Sequence, residues 1–388
     1  MNAQLNRDEK KVEYLELIYD LVFVYMVGRN NSLLSSFENG FFSGAAFLAF
    51  VICTLTIIQI WHYTTFYINM FGRNGLRDHV FLLTNMYLIY FIGQSTRFDW
   101  LAYQAQYHTA WALILINIGV QYVIELRNHR GDAAGCRMIK GMAVRLFIVA
   151  AIALIAGFVP PHMTGQVSLI AIFTGIILTA VYLNRGPEGS VDFMHLTERA
   201  MLYVVFTFGE MIIVLSAYFD GDGGFDWNVI YFSLMGFLIV AGLFVSYELI
   251  YDHLIDREMQ DNGMMYMTIH IFIIFALSCI TVSLEFMQEE EVALLPKTAF
   301  ITASIIGYYA FLFCTRSYAK KKCGMDMKFM LNMAGAAVTF AVLMIVFREN
   351  MRVNIFVSVA YVWGTVAVLY RIMKAFESHS RRSNNGEI

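Results

Sequence analysis

Residues 41–68 read FFSGAAFLAFVICTLTIIQIWHYTTFYI, an apolar run that contains no Asp, Glu, Lys or Arg. A helix of about 20 apolar residues crosses the hydrocarbon core of a bilayer, so this run is long enough to span one. Similar runs recur along the chain, about twelve in all. The predicted spans cover residues 13–36, 41–68, 78–97, 105–126, 138–158, 164–184, 195–219, 227–250, 264–286, 297–318, 327–347 and 353–376. The sequence therefore predicts an all-α integral membrane protein with about twelve transmembrane helices.

The composition agrees with this class of protein. Hydrophobic residues make up 59% of the chain and charged residues 15%, whereas a soluble domain has about 25% charged residues. The formal net charge of −3 and the lack of a basic stripe with interleaved aromatic residues argue against a nucleic-acid partner. The five cysteines form no C-x-x-C pair, so we expect no disulfide framework, no metal and no cofactor. Membrane lipids are the expected partners, and the sequence leaves open whether the protein forms a homodimer.

The distribution of positive charge predicts the orientation. If the N-terminus lies in the cytoplasm, most of the 27 lysine and arginine residues fall in inner segments. Those in outer segments are Arg97, Lys297, Arg348 and Arg352, and those within spans are Arg29, Arg145 and Arg199. This bias predicts that the N- and C-termini are both cytoplasmic. The predicted organisation is a cytoplasmic N-terminal segment (1–12), two six-helix halves (13–184 and 185–376) and a disordered cytoplasmic tail (377–388).

Two weak similarities between the halves are compatible with a six-plus-six pseudo-repeat, although chance matches are common in apolar, aromatic-rich sequence. Gly28-Arg29 in the first span corresponds to Gly209-Glu210 in the seventh, at a similar depth. The end of the second span also corresponds to the end of the eighth: Tyr63, Tyr67 and Arg73 match Tyr247, Tyr251 and Arg257. A parallel duplication of six helices would leave such pairs.

The first and seventh spans carry charged residues inside otherwise apolar sequence. A charge at the centre of a spanning helix costs about 2.5–3.5 kcal/mol on insertion scales, so it is retained where it finds a partner or water inside the protein. Glu16 and Asp20 are four residues apart and share one helix face. Arg199 lies at their depth, with His195 one turn before it, when both helices are counted from the same membrane face. We therefore expect the two carboxylates to face Arg199 and His195.

Further charges extend this predicted pathway. Arg29 in the first span and Glu210 in the seventh lie at matching depths, which predicts a second, deeper pair. Arg29 lies on the opposite side of its helix from Asp20, so two pairs require either a kink at Gly28 or protein on both sides of this helix. Glu210 is the best single candidate for a proton carrier, because it is the deepest carboxylate. Glu198 lies near the inner membrane face.

Other polar residues in the spans have simpler explanations. Glu125 and Arg145 flank one short inner hairpin and can pair with each other. Three single histidines, His62, His79 and His270, lie on apolar or interfacial faces, which is typical of packing residues rather than ligands. No span carries a lysine near its centre, which excludes a retinal Schiff base.

Three motifs lie at these positions. The first is Glu16-Leu-Ile-Tyr-Asp20-Leu-Val-Phe-Val, and the second is the aromatic run from Trp61 to Phe71. The third is His195-Leu-Thr-Glu198-Arg199 followed by Gly209-Glu210. Together they resemble the signatures of the bacterial low temperature requirement A family, except that Met201 stands where the third family pattern has glycine. The resemblance implies an all-helical, multi-pass fold in the bacterial inner membrane, and it implies no substrate.

We interpret the chain as a transporter-like protein with a buried, proton-titratable core between its first and seventh helices and an unknown small-molecule or ion substrate. The predicted pathway residues are Glu16, Asp20, Arg29, His195, Glu198, Arg199 and Glu210, and no catalytic residue is predicted. A membrane-embedded enzyme acting on a lipid or isoprenoid is one alternative, because several of these residues lie near the inner face. A structural or regulatory membrane subunit is another, because buried ion pairs also hold helices together.

Overall fold

The computed structural model describes residues 11–97, 99–129, 131–183, 190–219, 226–287, 289, 291–321 and 323–384. Within these residues it contains twelve α-helices and no β-strand. The helices are α1 (Tyr14–Asn30), α2 (Gly44–Phe71), α3 (Leu76–Ser95), α4 (Gln104–Glu125), α5 (Ala133–Ala156), α6 (Pro161–Leu183), α7 (Phe193–Leu215), α8 (Trp227–Glu248), α9 (Met264–Glu285), α10 (Leu294–Cys314), α11 (Met327–Val346) and α12 (Met351–Asn384). Short 3₁₀ turns follow α1, α7 and α10, and a π-helical turn, Leu249–Leu254, follows α8. The predicted all-α fold is confirmed.

Nine helices in the described part of the chain are long and apolar enough to cross a membrane, namely α2, α4 to α6 and α8 to α12. The other three are α1, α3 and α7. Two of these carry the charges predicted to pair inside the protein: Glu16 and Asp20 lie on α1, and Arg199 lies on α7. Charged residues lower the hydropathy of a helix even where protein shields them from lipid. The count of twelve spans and the cytoplasmic position of both termini stay predictions.

Local signals explain where several helices begin. The side chains of Ser43, Asp132 and Asp326 accept hydrogen bonds from backbone N–H groups in the first turns of α2, α5 and α11. Such caps satisfy donors that the helix itself leaves without a partner. Pro161 is the first residue of α6, the position where a missing N–H costs nothing.

Two compact units make up the chain. The first comprises residues 1–36, 42–203 and 258–271, and the second comprises residues 37–41, 204–257 and 272–388. The boundaries fall within α7, after Tyr203, and within α9, after Ile271. A grouping by contacts does not test a duplication of sequence, so the six-plus-six organisation stays a prediction.

The first unit is built around α2. Every residue from Ile52 to Asn69 is buried, so this helix is enclosed by protein on all sides. α1 packs against α2 and α3, while α4 and α6 also pack against α2. Because α2 is enclosed, its polar side chains point into protein, and they therefore require partners there.

The second unit contains a group of helices formed by α8, α10, α11 and α12. α8 packs against α12, and α11 packs against both α10 and α12. Side-chain to backbone bonds join these helices: the Tyr308 hydroxyl donates to the Leu243 carbonyl at 2.9 Å, and the Trp363 indole donates to the Leu238 carbonyl at 3.0 Å. Bonds of this kind are a usual way to join apolar helices in a membrane.

Candidate functional site

A buried ion cluster joins α1 to α7 within the first unit. The Arg199 guanidinium donates through Nε to Asp20 Oδ2 at 3.1 Å and through Nη2 to Asp20 Oδ1 at 2.5 Å, and its Nη1 donates to Glu16. Arg199 and Asp20 are completely buried, and Glu16 is 3% exposed. Two nitrogens of the guanidinium thus bind one carboxylate, and the third nitrogen binds another. Such two-nitrogen, charge-assisted pairing is the most favourable arrangement available to a buried arginine. The predicted pairing of Glu16 and Asp20 with Arg199 is present.

Trp61 completes the surroundings of Asp20. Its indole Nε1 donates to Asp20 Oδ1 at 2.7 Å, and its ring packs against the Tyr203 ring with centroids 4.5 Å apart. Asp20 therefore accepts bonds from both the guanidinium and the indole. Trp61 was predicted only as part of the aromatic motif, although an indole in a wholly enclosed helix needs an acceptor.

His195 is held beside Glu16 by the end of α2. Its Nε2 lies 3.6 Å from Glu16 Oε2, and its Nδ1 lies 3.1 Å from the amide nitrogen of Asn69. An amide nitrogen can only donate, so Nδ1 accepts, and the imidazole is neutral with its proton on Nε2. Asn69 also exchanges two bonds with the backbone of Asp192, which fixes the start of α7 against α2. His195 therefore presents an N–H toward Glu16, as the depth comparison predicts.

A cleft of about 330 Å³ leads to this cluster from the end of the first unit where α1 begins, α2 ends and α3 begins. Its lining residues are Lys11, Glu13, Leu15, Glu16, Ile68, Gly72, Arg73, Asn74, Asp78 and Leu82. Five of them are charged, and Glu16 belongs both to the cleft and to the cluster.

The wall of the cleft is fixed by a second set of ion pairs. The guanidinium of Arg73 lies 3.1 Å from Glu125 Oε1, and that of Arg77 lies 2.9 Å from Glu125 Oε2. Asp78 accepts from the backbone N–H of Arg73 at 2.7 Å. The expected pairing of Glu125 with Arg145 is wrong, since both oxygens of Glu125 are bonded to groups at the helix ends.

A chain of polar groups runs from α1 towards α4. The Tyr19 hydroxyl lies 2.9 Å from Thr64 Oγ1 and accepts from Asn85 Nδ2 at 3.4 Å. Asn117 then donates to Asn85 Oδ1 at 2.8 Å. Tyr19 is adjacent to Asp20 in sequence, so this chain begins next to the ion cluster. Hydroxyl and amide groups in such a series can also hold water or a polar solute.

The other predicted residues, Arg29, Glu198 and Glu210, lie elsewhere on α1 and α7. Arg29 donates through Nε to the Gly93 carbonyl at 2.8 Å, and its Nη1 lies 3.5 Å from the Tyr25 hydroxyl. Glu198 is half-buried on α7. Glu210 is half-buried in the part of α7 that belongs to the second unit. The pairing of Arg29 with Glu210 stays a prediction.

Comparison with known families gives one match. The model of the family described as bacterial low temperature requirement A protein (LtrA) matches residues 11–370. The chain belongs to this family. The match covers α1, α7 and the whole of the ion cluster, and with the apolar helices described above it makes this LtrA-family chain a multi-pass cell-membrane protein. No curated protein and no solved structure matches the chain.

Proposed function

We propose that this LtrA-family protein is transporter-like, and that its ion or substrate pathway passes through Glu16, Asp20 and Arg199. The observation that carries the proposal is the position of Glu16. Glu16 lines an open cleft, and its carboxylate binds a guanidinium that is completely buried. A solute or proton that binds Glu16 from the cleft side changes the contact between α1 and α7 inside the first unit. A carrier needs this kind of coupling between binding and helix packing.

The charges of the cluster support a proton or a cation as the coupling species. If both carboxylates are ionised and His195 carries its proton on Nε2 alone, the cluster has a net charge of −1. A net charge is costly in a buried site, and one proton or one cation cancels it. A proton on Glu16 removes its negative charge and so weakens its attraction to Arg199, while Asp20 keeps its two bonds from the guanidinium.

The deeper part of the pathway is less closely defined. The polar chain from Tyr19 to Asn117 offers hydroxyl and amide groups beyond the cluster. Arg29 and Glu210 remain proposed members of the pathway because they lie at matching depths along the first and seventh spans. Glu198 remains one because it lies one residue before Arg199. Intramembrane ionisable residues of this kind commonly mark ion or substrate routes.

A lipid-modifying or isoprenoid-modifying enzyme is the second candidate, and the location of the cleft favours it. Glu16 lies in the first turn of α1, and the cleft opens where helices begin and end. Lys11 and Arg73 in its lining would attract an anionic head group. The cluster would then act on a head group at the membrane surface rather than pass a solute inward.

Proton flux in proteoliposomes tests the proposal. The full chain is reconstituted with a pH-sensitive dye inside the vesicles, and a panel of sugars, amino acids, organic acids and monovalent cations is added under a proton gradient. We expect at least one compound to drive proton movement in the wild type and the Glu16→Gln variant to lose at least nine-tenths of it. Glu349→Gln, which removes an exposed carboxylate, is the matched control and should keep wild-type flux.

The outcomes separate the candidates. Equal compound-driven flux in wild-type and Glu16→Gln vesicles would remove the cluster from the transport mechanism. Turnover of a radiolabelled lipid extract that Glu16→Gln abolishes, with no compound-driven flux, would favour the enzyme. A wild-type protein with neither activity, whose Glu16→Gln variant loses only thermal stability, would be a structural subunit.

A further inference from the structure

Arg145 is a second buried arginine of the first unit, and its surroundings differ from those of Arg199. It lies on α5 and is completely buried. Its Nη1 donates to the Thr179 hydroxyl, and its guanidinium stacks over the Tyr63 ring at 4.4 Å from the centroid. The Thr179 hydroxyl is itself bonded to a backbone carbonyl, so it donates inside α6 and accepts from the arginine.

No carboxylate balances this charge among the described residues. Every ion pair found there involves other groups, and Glu125, once expected to pair with Arg145, is bonded to Arg73 and Arg77. In the same part of the chain, Arg145 Nε and Nη2 have no hydrogen-bond partner. Arg199, by contrast, has two carboxylates. A completely buried guanidinium with two free N–H groups therefore needs an acceptor that the described side chains do not supply.

Further groups around the guanidinium also lack partners. The Tyr122 hydroxyl and both ring nitrogens of His62 are buried without a hydrogen-bond partner among the residues that the structure describes. His62 lies beside the Tyr63 ring that stacks on the guanidinium, with the two ring centroids 6.0 Å apart. Tyr122 lies one turn after Gly119 on α4, and Gly119 lies against Phe147, two residues after Arg145 on α5. His62 packs against the Phe66 ring at 4.8 Å between centroids, as expected of a packing histidine, but its ring nitrogens have no hydrogen-bond partner in this part of the chain. Arg145, Tyr122 and one tautomer of His62 together offer several N–H and O–H donors around one positive charge.

The depth of Arg145 limits what can bind there. Twelve residues separate it from the start of α5 and eleven from the end, which places it about 16–18 Å along the helix from either end. Lipid head groups lie outside a hydrocarbon core of about 30 Å, so a head-group phosphate does not reach this position. A ligand must be small, must carry negative charge and must accept hydrogen bonds.

We propose that Arg145, Tyr122 and His62 form a binding site for a small monovalent anion such as a halide or a short carboxylate. The anion accepts from Arg145 Nε and Nη2 and from the Tyr122 hydroxyl, and it neutralises the guanidinium. The site is distinct from the cluster at Glu16. It goes beyond the proposed transport function, since binding holds whether or not the anion crosses the membrane.

Thermal unfolding under defined anions tests the site. The purified full chain is melted in detergent while sodium gluconate, whose anion is too large for the site, is replaced by sodium chloride, bromide or formate at constant ionic strength. We expect a saturable rise of a few degrees in melting temperature with the small anions. Arg145→Gln should lose this rise, whereas Arg137→Gln, an exposed arginine on the same helix, should keep it. A rise of equal size in Arg145→Gln and in the wild type would overturn the proposal.

Two further measurements keep the test decisive. In gluconate alone, Arg145→Gln should melt no lower than the wild type, because the variant removes a charge that lacks its counter-ion. A lower melting temperature there, combined with no anion response in the wild type, would make Arg145 a structural residue and overturn the site.

Tyr122→Phe keeps the charge and removes one donor, so it should raise the half-saturating anion concentration severalfold; an unchanged concentration would remove Tyr122 from the site. The melting assay does not measure transport, so a negative result would refute the anion site and leave the proposed Glu16 pathway unaffected. A negative result in the flux assay would likewise leave the anion site unaffected.

Discussion

Arg199→Gln is the most direct perturbation of the cluster between α1 and α7. The substitution removes the two bonds to Asp20, of 3.1 and 2.5 Å, and the bond to Glu16. Asp20 keeps its bond from the Trp61 indole, but the buried carboxylates no longer have a compensating cation. Loss of one partner from a buried ion pair costs about 3–5 kcal/mol, because the remaining charge stays buried.

This cost predicts a clear change in thermal stability. A loss of 1 kcal/mol lowers the melting temperature by about 2–4 °C in domains of 150–250 residues, so Arg199→Gln should lower it by about 6–20 °C. Intrinsic tryptophan fluorescence of the detergent-solubilised chain measures the transition, and Trp61 reports from within the cluster. Arg137→Gln is the control, because an exposed arginine should change the stability by less than about 0.5 kcal/mol.

A triple variant separates charge from lost packing. Glu16→Gln combined with Asp20→Asn and Arg199→Gln replaces the ion cluster with neutral side chains of similar size. It should recover at least half of the stability lost in Arg199→Gln, because no uncompensated charge remains. A single variant that melts within about 1 °C of the wild type would refute the reasoning. So would a triple variant that is less stable than Arg199→Gln.

Three further predictions concern other residues. Glu210→Gln should abolish proton-coupled flux in proteoliposomes without loss of folded protein, and unchanged flux would exclude this carboxylate from the mechanism. Trp61→Phe should lose at least about 1.5–3 kcal/mol of stability in thermal melts, because the phenyl ring cannot donate to a charged acceptor and fills less of the buried space. Gly175→Ala should lose about 1–3 kcal/mol, since a Cβ there overlaps the Tyr63 hydroxyl, whereas Gly209→Ala meets open space and should be neutral or stabilising. Equal melting temperatures for the two alanine variants would contradict this explanation.

The ion cluster could be predicted from the sequence because the depth of a residue in a span follows from its position along the helix and the fixed rise per residue. Spans that start from the same membrane face place Glu16, Asp20 and Arg199 at one level, and buried charges at one level attract. Most helix ends agree with the predicted spans within a few residues, since apolar runs define them, whereas the ends of α1 and α12 differ by six and eight residues. The partner role of Trp61 was not predicted, because an aromatic residue in an apolar span carries no sign of which neighbour its N–H faces.

The error at Glu125 has a physical reason. Glu125 is the last residue of α4, and its two oxygens lie 3.1 and 2.9 Å from the guanidinium groups of Arg73, just after α2, and Arg77, in the first turn of α3. The sequence places Glu125 and Arg145 on one hairpin, but it does not show that α2 and α3 bring two other arginines to the end of α4.

The long sequence separation of the ion pair has a consequence for synthesis. Asp20 and Arg199 are 179 residues apart, and ribosomes add roughly 5–20 residues per second. On the order of ten seconds or more therefore pass between the emergence of the carboxylates and the arrival of their cation. During that interval two acidic groups on a nascent helix have no counter-charge, so we expect the insertion machinery to retain α1 until α7 has been made.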